Sequence, residues 1–181
     1  GDFSNRLSGA IEFAEKCKSL NKKFIFVLGN HDYYSSNYSS VVNFLKENYP
    51  KNALLDDNHI KIQDKIFVGG TLFTNFRSNS PLTSPEVLLQ SQKDAEQSIY
   101  DFDQIMIGSD HRTITANDYI ELFKKYHENI MKFKDQDNVI VITHFPPHLA
   151  CLDPYWGAHP VASALNPYFI NDLDIKGFKL W

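Results

Sequence analysis

Three short stretches of this 181-residue sequence combine residue types that bind metal ions. Asp2 follows Gly1, with Asn5 close behind; Asn30, His31 and Asp32 follow Gly29; and His144 follows Thr143. A carboxylate, an amide oxygen and an imidazole make a mixed nitrogen and oxygen donor set. Such a set suits Mn, Fe, Zn or a related divalent ion better than it suits a thiolate zinc site. Neither cysteine, Cys17 or Cys151, lies in any of the three stretches. Taken singly, Gly-Asn and Asn-His pairs are ordinary turn chemistry, and a lone histidine after a strand is commonly structural. What sets these apart is where the surrounding elements put them.

The run from Phe24 to Leu28 is bulky and unbroken and ends at Gly29, which predicts a buried strand followed by a turn. The run from Val139 to Ile142 predicts a second buried strand; it ends at Thr143-His144, and Phe145-Pro146-Pro147 blocks any helix beyond it. Apolar residues at helical spacing predict helices over Leu7 to Leu20, Val41 to Asn48 (stopped by Pro50) and Glu86 to Gln97. A better-marked helix follows Thr115, which stands in capping-box spacing to Asp118, with Tyr119, Leu122, Phe123, Tyr126, Ile130 and Phe133 on one face. Ile60 to Ile62 and Ile66 to Val68 read as a hairpin, Thr74 to Pro85 as an irregular surface loop, and Asn166-Pro167 as the start of a last helix reaching Leu173. No repeat or linker interrupts this alternation, so the chain reads as one α/β domain. In sheets of this kind ligands gather beyond the carboxyl ends of the strands, which is where the candidate residues fall.

In this order the three stretches resemble the calcineurin-like metallophosphoesterases, a superfamily of two-metal phosphatases, phosphodiesterases and nucleases. The family pattern runs D-x-H, G-D-x-x-[DN], G-N-H-[DE], a strand ending in His, and G-H-x-H. Gly1-Asp2-Phe3-Ser4-Asn5 matches the second motif, Gly29-Asn30-His31-Asp32 the third and most specific, and His144 the strand-end histidine. The resemblance implies an α/β/β/α sandwich of mixed sheets flanked by helices, with the terminal strands missing. It implies two divalent metal ions (Mn, Fe, Zn or similar) in the full-length protein. Asp2 would bridge the metals, with Asn5 supporting that turn, and Asn30 and His144 would be ligands of one of them. His31 would face the leaving group, with Asp32 orienting its ring.

The departures matter as much. No G-H-x-H occurs, although Gly177 to Trp181 looks like the strand that leads into it. D-x-H is absent before Gly1, and the string Asp57-Asn58-His59 sits in a polar turn with no buried strand before it. Residues 1–181 are therefore expected to be a single domain cut at both ends. Alone it should bind metal weakly and have little or no activity.

The formal net charge of −4 supplies no basic field for long duplex nucleic acid. The apolar runs are too short for a membrane span, and the two cysteines and the absence of a signal peptide suggest a cytoplasmic protein. The expected partner is a small phosphorylated substrate or nucleotide. Arg112 could reach a phosphate from its loop and His148 could line the cleft, while packing is the plainer role for Tyr33, Tyr34, Tyr155 and Trp156. The leading expectation is hydrolysis of a phosphomonoester or phosphodiester by metal-activated hydroxide. The alternatives are a nuclease or cyclic-nucleotide phosphodiesterase of the same superfamily, or a non-catalytic binding module that keeps the fold.

Overall fold

The spacing of Leu7, Ala10, Ile11 and Ala14 forms the helix α1 (Leu7–Ser19), which buries Ala10 and Ala14. The computed structural model describes residues 1–77, 84–155 and 160–181. After α1, the Phe24 to Leu28 run departs from the regular strand expected of it. It forms one parallel bridge, Phe26 to Ala53, in which the Phe26 amide donates to the Asn52 carbonyl (2.9 Å) and the Leu54 amide donates to the Phe26 carbonyl (3.0 Å). A ladder needs a partner that runs alongside for several residues. The partner here turns away at once, its Leu55 amide donating to Asn58 Oδ1 (2.9 Å). Phe26, Val27 and Leu28 are buried nonetheless.

A short strand, β1 (Ser36–Asn37), leads into α2 (Tyr38–Asn48). This helix starts earlier than its apolar spacing suggests because Asn37 Oδ1 caps it, accepting from the amides of Ser39 and Ser40. The expected hairpin follows as β2 (His59–Ile62) and β3 (Lys65–Gly70), then α3 (Pro85–Ser98), whose cap is Ser84. The helix α4 (Asp101–Gln104) and strands β4 (Ile105–Ile107) and β5 (Arg112–Thr113) were not anticipated, being too short to show a period. Then come α5 (Ala116–Met131) and β6 (Val139–Thr143).

The last helix, α6 (Pro160–Phe169), corrects the expectation of a start at Asn166. Pro167 falls in its final turn. Residues 78–83, half of the expected surface loop, and Trp156 lie outside the described residues; within the described part of the loop, Thr74 and Phe76 are buried rather than on the surface.

Two mixed sheets result. One has the order β2-β3-β6, with β2 antiparallel and β6 parallel to β3; the other has the order β1-β4-β5. Helices flank them, which is the architecture expected from the sequence. The face of α5 predicted to be apolar packs inward, with Tyr119, Leu122, Phe123, Tyr126 and Ile130 all buried. Burying such a side chain contributes about 1.5–3 kcal/mol. Phe73 links this face to the sheet end that carries the site, its ring 4.6 Å from Tyr119 and 6.1 Å from Phe145. Among the described residues no helix is long and apolar enough to cross a membrane.

Candidate metal and catalytic site

Two turns and one strand end build the site. The parallel pairing of β3 with β6 continues beyond both strands, as His144 N donates to the Gly70 carbonyl and Phe145 N to the Thr71 carbonyl, both at 3.1 Å. That pairing fixes the backbone from which the His144 imidazole projects. The two turns are pressed together more closely than side chains allow. A Cβ on Gly29 would lie 2.0 Å from Asp2 Oδ1, and one on Gly1 would lie 2.2 Å from the Gly29 nitrogen. Glycine in both motifs is thus a requirement of contact between them.

Asp32 ties the two turns. Its Oδ2 accepts from the amides of Asp2 and Gly29 (both 2.9 Å), and its Oδ1 from those of Phe3 (3.1 Å) and Ser4 (3.4 Å). Burial pushes the Asp32 carboxyl up from its ordinary range, and the amides of Gly29, Ser4 and Asp2 pull it back. With its oxygens engaged by four backbone amides, Asp32 does not orient the His31 ring, as the sequence suggested. Asn5 takes that position, its Oδ1 lying 2.8 Å from His31 Nδ1. An amide oxygen accepts only, so it places the proton on Nδ1 and leaves Nε2 unprotonated in the neutral ring, which lines the cleft. Tyr34 stacks on one face of the ring, with centroids 4.6 Å apart.

Asp2, Asn30 and His144 converge. His144 Nε2 lies 3.0 Å from Asn30 Oδ1 and 3.4 Å from Asp2 Oδ2. Ligands that each stand about 2.1 Å from a shared cation are separated from one another by roughly 3.0–3.4 Å. Both separations from His144 Nε2 therefore suit ligands of one divalent ion, and the chemistry of the three atoms is that of a mixed donor set. Burial lowers the His144 pKa, against the pull of Asp2, and so favours the neutral imidazole that ligates metals. Among the described residues no group of three His, Cys, Asp or Glu side chains stands at metal-binding spacing, so the amide of Asn30 is what completes this trio.

The donors open onto a cleft of two lobes that share Asn30, His31 and Phe169. One, of about 340 Å³, contains Asp2 and His144; the other, of about 310 Å³, is walled by Tyr34, Ile99 and Tyr100. A larger cavity of about 620 Å³ lies near Phe24, at the other end of the Phe24 to Leu28 run, and brings no metal-ligating set together.

Arg112 and His148 line neither lobe. Arg112 forms a two-pronged pair with Asp118 (2.6 and 2.8 Å) that also reinforces the Thr115 cap. His148 caps the short turn Leu149–Cys151 by accepting from Ala150 N (3.0 Å), and its Nε2 stands 3.7 Å from Asp172.

Asp101 is a site residue that the sequence did not reveal. It is fully buried, and its Oδ1 accepts from Asn30 Nδ2 at 2.9 Å. A lone aspartate between Tyr100 and Phe102, 71 positions from its partner, carries no signal in one sequence.

Fold and site together define a class. The family model described as calcineurin-like phosphoesterase matches residues 1–176, and the chain belongs to that family. Over 84 residues it is 30% identical to the Uncharacterized protein L509 of Acanthamoeba polyphaga mimivirus, covering 41% of this chain and 30% of that protein. The chain thus spans well under two thirds of that curated relative. No solved structure matches it significantly. The family generally binds two divalent metals.

Proposed function

We propose that this chain carries part of a phosphoesterase centre that hydrolyses a small phosphomonoester or phosphodiester. The observation that supports this most directly is the convergence of Asp2 Oδ2 and Asn30 Oδ1 on His144 Nε2, with His31 on the same turn as Asn30. Asp2, Asn30 and His144 would hold a divalent ion such as Mn, Fe or Zn, with Asp2 shared with a second. Bound metals supply charge for the phosphoryl oxygens and a water acidified enough to act as nucleophile.

The chain's own residues do the rest. His31, its Nδ1–H held by Asn5, would as the imidazolium present Nε2–H to the oxygen that departs from phosphorus and give that proton up to it, leaving the neutral ring. Tyr34 braces the ring from one face. The leaving group then lies in the second lobe against Tyr34, Tyr100 and Phe169, walls that favour a flat or apolar group. Tyr100 and Phe169 are well exposed for aromatic residues, 61% and 47%, and so are free to meet a ligand.

The test is a panel of phosphomonoesters, phosphodiesters and cyclic nucleotides, assayed on the full-length protein with Mn and again with chelator. Hydrolysis that requires metal supports the reading. No hydrolysis of any ester in metal-replete protein leaves a binding module that keeps the fold, and cleavage confined to polynucleotides or cyclic nucleotides makes the enzyme a nuclease or cyclic-nucleotide phosphodiesterase.

A further inference from the structure

Beneath the two lobes, Asp101 collects an unusual set of donors. Its Oδ1 accepts from Asn30 Nδ2 (2.9 Å) and the Tyr34 hydroxyl (2.5 Å); its Oδ2 accepts from the Tyr168 hydroxyl (2.5 Å) and the Tyr119 hydroxyl. Asp101 comes from α4, Tyr119 from α5 and Tyr168 from α6, so three helices and the Asn30 turn meet at one carboxylate. Burial first, with Asp101 contributing in each case, pushes the hydroxyls of Tyr34, Tyr119 and Tyr168 up, and keeps all three as donors.

A side-chain amide has two chemically opposite ends, and which end faces a cation decides whether it can be a ligand. At Asn30 a carboxylate that already receives three hydroxyl protons offers only an acceptor to the amide. The NH2 end must turn down to it, which leaves the oxygen facing His144 and Asp2. The reverse orientation would set N–H groups against the cation and the amide oxygen against a carboxylate.

We infer that Asp101 is the positioning residue that locks the Asn30 amide with its oxygen toward the cation, and that the three tyrosine hydroxyls fix Asp101 in turn. This inference rests on Asn30 being a metal ligand. Partners of this kind typically change metal affinity 10–100-fold when removed.

The test is Mn titration calorimetry on the full-length protein, wild type against Asp101→Leu, which keeps the bulk and removes both acceptor oxygens, with fold checked by circular dichroism. The expected result is binding weakened roughly 10–100-fold, together with altered visible absorption of the Co-substituted protein. A folded Asp101→Leu protein with the wild-type Kd and Co spectrum overturns the inference and leaves the phosphoesterase reading intact. A wild type that takes up no metal overturns both.

Should Asp101→Leu not fold, Tyr168→Phe decides against the control Tyr126→Phe, whose hydroxyl meets Tyr38 and not Asp101. Weaker Mn binding in Tyr168→Phe alone supports the inference. Equal effects of the two substitutions show general loosening of the core and overturn it.

Discussion

The side-chain oxygen of Asn30 stands 3.0 Å from Nε2 of His144, across 114 positions of sequence. The Asn30 amide is held through its Nδ2 by the buried Asp101 carboxylate, and the His144 backbone by a strand pair that runs on past its own end. The site is thus a product of two supports that meet only in the folded chain.

Separate tasks for ligands and proton donor give separable losses. In the full-length protein, Asp2→Ala should lose both metal and turnover. His31→Ala should keep its metal and lose turnover by roughly 10²–10⁴-fold, the usual contribution of a positioned acid. Elemental analysis beside steady-state kinetics reads both; equal turnover for wild type and His31→Ala removes His31 from the chemistry.

Asn5 should act through His31. Asn5→Ala is expected to lower kcat about tenfold at unchanged metal content, because a histidine that loses the partner fixing its tautomer spends less time with the reactive nitrogen toward the substrate. Combined with His31→Ala it should have no further effect, since two residues acting as one unit are not additive. Additive losses in the double variant would give Asn5 a role of its own.

Contact between the two glycine turns predicts a cost for Gly29→Ala. A methyl group 2.0 Å from Asp2 Oδ1 and 2.6 Å from Asp2 N must drive the turns apart. The expected loss is about 1–3 kcal/mol, seen as a Tm lower by about 2–4 °C per kcal/mol, together with weaker metal binding. An alanine variant with wild-type Tm and metal content would mean the turns do not need this close approach.

Stability should fall on mild acidification through a histidine outside the site. Burial lowers the His127 pKa below 6.5, against the pull of Glu128, and the ring packs on Phe123 at 5.3 Å. A depressed folded value means the contribution is complete above 6.5, the unfolded value, and is lost as pH falls through the folded one. His144 acts with the same sign, so His127→Gln should reduce the loss in urea midpoint between about pH 7.5 and about pH 5 without abolishing it. An unchanged pH slope in His127→Gln would show that His127 titrates alike in both states.

Legibility followed local physics. The Thr115 cap, the apolar face from Tyr119 to Ile130, and the β6 run all sit within one element, so period and capping chemistry exposed them. Gly29-Asn30-His31-Asp32 was legible because its residues are contiguous. The short second sheet was not, since two- and three-residue strands have no period, and the Phe24 to Leu28 run shows that an apolar stretch declares its burial but not its partner.

By itself the sequence determined the family and the α/β order, and it singled out Asp2, Asn30 and His144 as candidate ligands and His31 as the candidate proton donor, because residue type and spacing carry such chemistry directly. Only the tertiary structure decided what each donor leans on. It gave Asp32 to four backbone amides, Asn5 to the His31 ring, Arg112 to Asp118, and Asp101 with its tyrosines to the Asn30 amide. Hydrogen bonds reach about 3 Å whatever the distance along the chain, so partners 26 or 71 positions apart are fixed by packing and leave no spacing to read.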